Sequence, residues 1–238
     1  MAGLADRVVL ITGATGTTGR IVTGAFAATG ARLGLVGSDQ ERLVAVARDL
    51  GLDPDRWVAA VGDLRQAGDA RSVVGRVVER FGRVDVVLHL IGGFTGGVAV
   101  ADLDPDVVRG MLDQHMWTTL NIVQAALPGM LAAGWGRIAA VGSRSALEAA
   151  PRVASYAIAK AAEDTILRTV AREVVGSGVT ANVLIVGTID EAHERDSAPT
   201  PKNASWTTPE EIAAALLYLC SDEARAINGV RLPLDGRG

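Results

Sequence analysis

The sequence holds a single cysteine, Cys220, in 238 residues. An internal disulfide is therefore excluded, which fits a reducing compartment. Histidines are as scarce, at three, and no cluster of Cys, His and carboxylates has metal-ligand spacing, so no metal site is expected. There is no basic block for nucleic acid and no polybasic or amphipathic stretch for a membrane surface, and the formal net charge is only −4. Nucleic acid and membrane surfaces are thereby set aside as partners. No apolar run approaches the length of a membrane span. Residues 1–7 lack the charged flank and apolar core of a signal peptide. Together these absences lead to the expectation of a cytoplasmic protein.

What is present is apolar and regularly punctuated. Hydrophobic residues make up 49% and charged residues 21%, a balance that belongs to soluble globular chains. The length suits one large α/β domain, although length alone also allows two small ones. Short β-branched runs at residues 7–12, 32–36, 57–61, 84–91, 137–141 and 179–186 read as strands, with a last short one at 230–232. Helical patterns at 17–30, 40–50, 67–81, 106–133 (one helix or two), 152–175 and 209–220 separate them. Apolar strands alternating with helices predict a parallel sheet covered on both faces. Right-handed crossovers then make an α/β doubly wound fold the economical topology. No linker or repeat breaks the chain, so residues 1–238 are expected to form one domain. The long irregular stretch at about 188–208, with two prolines, is expected to be a functional or mobile loop.

The turn after the first strand reads Thr12-Gly13-Ala14-Thr15-Gly16-Thr17-Thr18-Gly19. Glycines here permit a tight turn and let backbone N–H groups approach a pyrophosphate at the positive end of a helix. The alternative is a purely structural strand-to-helix turn. Asp63, after the third strand, is placed to bond an adenine amino group, or else caps a turn. Gly92 follows the fourth strand at the same edge, where a ligand would crowd the backbone; a simple strand terminator also explains it.

Ser143 ends the fifth strand, and Tyr156 and Lys160 stand four residues apart on the next helix, hence on one face. An ammonium near a phenol stabilises phenolate and brings it into range for proton transfer. A strand-end serine can bond a carbonyl oxygen that gains charge as hydride arrives. A half-buried tyrosine beside an unrelated lysine would show the same spacing by chance.

On these residues the chain resembles the short-chain dehydrogenase/reductase family, over its whole length. Tyr156-Ala157-Ile158-Ala159-Lys160 is similar to the family's Tyr-x-x-x-Lys, and Ser143 stands thirteen residues upstream, as the family's serine does. Asp63-Leu64 matches the adenine-site pair, and Asn182-Val183-Leu184 resembles the strand before the nicotinamide loop. The resemblance implies a single doubly wound Rossmann domain with a mostly parallel seven-stranded sheet. It implies an NAD(P)(H)-dependent oxidoreductase that reduces a carbonyl compound or oxidises the matching alcohol. Tyr156 would be the acid/base, Lys160 its tuner and the holder of the nicotinamide ribose, and Ser143 the polariser of substrate. Cofactor contacts are expected at Gly13, Thr15, Gly16, Thr17, Thr18, Gly19, Ser38, Asp63, Leu64, Gly92, Tyr156, Lys160, Thr188 and Ile189. A homotetramer or homodimer and a small-molecule substrate are the partners it implies.

The departures from the family pattern are several. Thr17 stands where the short branch usually has glycine, so the turn is atypical. His89-Leu90-Ile91-Gly92 replaces Asn-Asn-Ala-Gly, and His115 takes the place of the catalytic asparagine. Val186 and Glu191 change the nicotinamide loop. His115 reads either as a proton relay or as a packed helix histidine, and His89 as a core histidine bonded to backbone. These changes keep a second function in view, a dinucleotide-binding sensor or partner-binding protein with little turnover. At the end of strand two, Gly37 leaves room for a 2′-phosphate, with Ser38 and Arg42 in reach and Asp39 opposed, so NADP(H) is expected to bind at least as well as NAD(H).

Overall fold

The computed structural model describes residues 3–236. Seven strands form one sheet: β1 (Val8–Thr12), β2 (Arg32–Gly37), β3 (Trp57–Val61), β4 (Val86–His89), β5 (Gly136–Ser143), β6 (Val179–Val186) and β7 (Arg231–Leu234). Their order is β3-β2-β1-β4-β5-β6-β7, and every neighbouring pair is parallel. Period-two alternation divides the strand side chains between two cores. Val8 and Leu10 pack on one side of the sheet, Val9 and Ile11 on the other.

Each face is closed by amphipathic helices. The first core takes Val73 and Val77 from α3 (Ala67–Phe81), Ile122 and Met130 from α5 (Thr118–Ala133), and Leu167 from α6 (Ala154–Glu173). The second takes Val22 and Phe26 from α1 (Thr17–Ala27), Leu43 from α2 (Gln40–Asp49), and Leu216 from α8 (Pro209–Cys220). Local signals set the boundaries. The Asp39 carboxylate accepts from the N–H groups of Glu41 and Arg42 and starts α2. Thr208 and Glu211 form a capping box at α8, with Pro209 in its first turn.

The stretch at 106–133, expected as one helix or two, is three pieces: α4 (Pro105–Leu112), a widened π-type turn at Asp113–Trp117, and α5. Such turns are rare and cluster at functional sites. This one turns His115 fully inward. The stretch 188–208 is more ordered than its composition predicts. It carries the short helix α7 (Glu194–Ser197), whose N–H groups at Glu194 and Arg195 donate to the Asp190 carboxylate. Ile189 and Thr207 bridge its base, and the Arg195 guanidinium donates to both Glu211 oxygens and to the Trp206 carbonyl. Among the described residues no helix is long and apolar enough to cross a membrane. Val123 and Val170, apolar residues of two long helices, lie in the chain's own core.

Candidate active site

Because the chain crosses from β3 to β4 on the far side of β1, the connections leaving β1 and β4 diverge and open a crevice at their carboxyl ends. A cavity of about 850 Å³ occupies it. Gly13, Thr15, Gly16, Thr17, Thr18 and Gly19 line one end; Gly92, Ser143, Tyr156, Lys160, Thr188 and Ile189 line the other. A neighbouring cavity of about 480 Å³ shares Gly13 and Thr15 and holds Ser38, Asp63 and Leu64. All the expected cofactor residues thus border one or the other of these two adjoining cavities, whereas His115 lines neither.

The glycine turn is fixed by close approach. Gly13 has φ +69°, a region that favours glycine. A Cβ on Gly19 would fall 2.2 Å from the Gly13 carbonyl oxygen, so the start of α1 lies directly on the turn. Gly16 caps α1 without a side-chain bond, and the first helical turn has no acidic residue. Its N–H groups are therefore free to meet an anion, and Arg42 borders the same cavity. The Asp63 carboxylate is already engaged by the Arg65 guanidinium, at 2.8 Å to each oxygen. That bonding holds it below the usual carboxylate range. Of the two readings of Asp63, the turn aspartate is the one its present bonds express.

At the other end the Ser143 hydroxyl accepts from the Ser145 N–H at 3.2 Å, leaving its own proton free to donate into the cavity. Tyr156 is half-buried, with Phe94 edge-on at 5.1 Å and His115 edge-on at 5.7 Å. The Gly-rich strap bearing Phe94 is tied to the start of α6: Gly97 N–H donates to the Arg152 carbonyl and the Ser155 hydroxyl to the Thr95 carbonyl. Lys160 is almost wholly buried. Its ammonium donates to the Val141 carbonyl at 2.8 Å and to both oxygens of buried Glu163 at 3.0 and 3.1 Å.

Three of these features escape a reading by motif. Glu163 lies three residues past Lys160 and hence on the same inward helix face, which was the available signal. Phe94 had no signal beyond being an aromatic among glycines. His89 is buried as expected, but its partners are side chains rather than backbone: Thr12 Oγ1 at 3.0 Å and Thr118 Oγ1 at 3.3 Å. Burial, reinforced by the Lys160 ammonium and the His115 ring and opposed by Glu163, lowers the His89 pKa to about 4. Glu191 borders the main cavity and is exposed, and His193 is exposed and pairs with Glu210 at 3.0 Å.

The family model described as enoyl-(acyl carrier protein) reductase matches residues 13–236. The chain is 29% identical to the A-factor type gamma-butyrolactone 1'-reductase (1S-forming) of Streptomyces virginiae, over 98% of this chain and 95% of that protein. It is also 29% identical to the D-threitol dehydrogenase of Mycolicibacterium smegmatis, over 98% of this chain and 93% of that one. Among solved structures it resembles a short chain dehydrogenase from Bacillus anthracis, with a TM-score of 0.86 and 28% identity over 98% of this chain and 97% of that one.

Proposed function

The chain belongs to the short-chain dehydrogenase/reductase family of oxidoreductases, and on that premise we propose that it reduces a carbonyl compound, or oxidises the matching alcohol, with Tyr156 as the proton-transferring residue. The observation that carries this reading is the convergence of Ser143, Tyr156 and Lys160 on the cavity that also opens on the glycine turn. A nicotinamide dinucleotide, when bound, supplies or accepts the hydride. The free N–H groups of α1 would hold its pyrophosphate, and Thr188 and Ile189 would border its nicotinamide. The Ser143 proton would bond the carbonyl oxygen as negative charge builds there, an interaction stronger in the transition state than in the ground state. Tyr156 would deliver the proton that completes the alcohol. Phe94 gives the cavity an apolar wall, which suits a small to medium, mainly hydrophobic substrate. The stretch 188–208 would cover it as a substrate loop. One relative is named as a reductase and another as a dehydrogenase, which supports this reading.

NADP(H) is proposed to bind at least as well as NAD(H). The Asp39 carboxylate is committed to capping α2, while Ser38 and Arg42 border the two cavities. One observation favours the second reading, a dinucleotide-binding protein with little turnover: the Lys160 ammonium is tied to Glu163, which offsets its field at Tyr156.

Consumption of NADPH or NADH against a panel of ketones and quinones separates the two. Turnover is expected for the wild type. Tyr156→Phe is expected to lower kcat by about 10²–10⁴-fold with cofactor affinity nearly unchanged. Wild-type rates in the mutant would refute the assignment of Tyr156. Cofactor binding without oxidation on any panel member would favour the second reading.

A further inference from the structure

Behind the candidate catalytic pair lies a cluster of ionisable groups that the proposed reaction leaves unused. Glu163 is 1% exposed and His115 0% exposed. His115 Nε2 stands 3.1 Å from the Gly93 carbonyl oxygen. A carbonyl only accepts, so this nitrogen carries a proton. His115 Nδ1 then has no hydrogen-bond partner, though it is buried. It lies 3.7 Å from Glu163 Oε2. In a neutral ring its lone pair would face a carboxylate, two acceptors opposed in a site closed to water. One proton between them removes the conflict.

The surroundings limit where that proton goes. From α6, the Lys160 ammonium contacts both Glu163 oxygens and the Tyr156 ring meets His115 edge-on. From β4, His89 faces the cluster with both ring nitrogens bonded to threonine hydroxyls. Asp164, the next residue on α6, is turned away to Arg231 at 2.9 Å. Burial pushes the Glu163 carboxyl upward, but the Lys160 ammonium and the His115 ring outweigh it and hold the group below its usual range. The carboxylate therefore stays ionised between two proton-bearing neighbours.

We propose that Glu163 is a positioning residue that holds Lys160 and shares one exchangeable proton with His115 Nδ1, so that the pair forms a proton store behind the lysine. Its catalytic use rests on the oxidoreductase reading above. When reduction draws a proton from the Lys160 side, Nζ loses one hydrogen. The Glu163 carboxylate takes the Nδ1 proton of His115 and passes it to Nζ, and His115 is left as the neutral ring protonated at Nε2. Alcohol oxidation runs the same transfers backward and reloads the ring. No proton is created or lost.

The test separates the proton store from the enzyme reading. Nitrogen NMR of the full chain with labelled histidines, without cofactor, reads the ring state directly; His115→Asn identifies the signal. Wild-type His115 is expected to carry protons on both nitrogens near neutral pH. In Glu163→Gln the ring is expected to be neutral, with Nδ1 bare and accepting from the new amide. A bare Nδ1 in the wild type, or the same ring state in both proteins, overturns the proposal whether or not turnover exists. Given turnover, Glu163→Gln is expected to lower kcat about tenfold with KM for the carbonyl unchanged, to remove one ionisation from the pH profile, and to be partly rescued by Glu163→Asp. An unchanged pH profile beside a changed ring state would leave the shared proton and overturn its use in catalysis. If Glu163→Gln does not fold, His115→Asn serves, and must remove the same ionisation.

Discussion

The two ends of the cleft are built by different means. Over β1 to β3 the cleft surface is mostly backbone: a turn at positive φ, uncapped helix N–H groups, and a glycine that no other residue can replace without displacing the turn. Over β4 to β6 the surface is side chain, and ionisable groups lie buried behind it: His89, His115, Lys160 and Glu163. A backbone cradle allows few sequences, because one added Cβ spoils it. A side-chain site can exchange its residues provided each buried charge keeps a partner. The chain departs from the family pattern at both ends, at Thr17 in the turn and at His89 and His115 behind the chemical end.

That contrast can be broken at either end. The largest effect is expected from Gly19→Ala. Its Cβ would meet the Gly13 carbonyl at 2.2 Å and the Ala14 Cα at 2.9 Å, both backbone atoms with nowhere to go. Cofactor affinity, by calorimetry, should fall by about 100-fold or more, roughly 3 kcal/mol, with far-UV dichroism retained. Near-native affinity would show that the turn yields more easily than its packing implies.

At the chemical end, His89 should make stability depend on pH. Its folded pKa of about 4 lies below the ordinary 6.5, so the unfolded state binds the proton first. The neutral histidine's contribution is complete above pH 6.5 and is lost as pH falls from 6.5 toward 4, by about 3 kcal/mol in all. His89→Asn should remove this component, so that denaturant melts of the variant lose about that much less stability than wild type between pH 7 and 4. Equal losses would mean that His89 is not held neutral.

The smallest effect sharpens the comparison at its boundary, where a side chain joins the backbone cradle. Arg42→Ala should weaken NADP(H) binding about tenfold, close to 1.4 kcal/mol, and leave NAD(H) within about twofold. NAD(H) tenfold tighter than NADP(H) in the wild type would instead assign the choice to Asp39.

Much of this was legible in the sequence. The strand and helix order and the two-sided sheet follow from apolar periodicity, the Tyr156 and Lys160 pair from spacing along one helix, and Ser143 from its place at a strand end. The glycine turn was legible because its backbone demands a residue type. What was not legible depends on contacts between distant segments. The π-type turn that sends His115 inward has no sequence signal as firm as a proline or a glycine. His89 meets Thr12 and Thr118 only because β1 and β4 are adjacent and α5 crosses behind them. Val123 and Val170 look alike whether they face a subunit or the core, and packing decided for the core. The loop at 188–208 has a polar, proline-bearing composition that suggests freedom, yet Arg195 pins it to Glu211.

The pinning of that loop has a thermodynamic side. Closing a free coil costs entropy that grows with the logarithm of its length, and a flap ordered only on binding subtracts that cost from the affinity of whatever it covers. Here the bridge between Ile189 and Thr207 and the salt bridge of Arg195 meet most of the ordering cost when the chain folds. A ligand covered by this stretch would then keep most of its contact energy as binding.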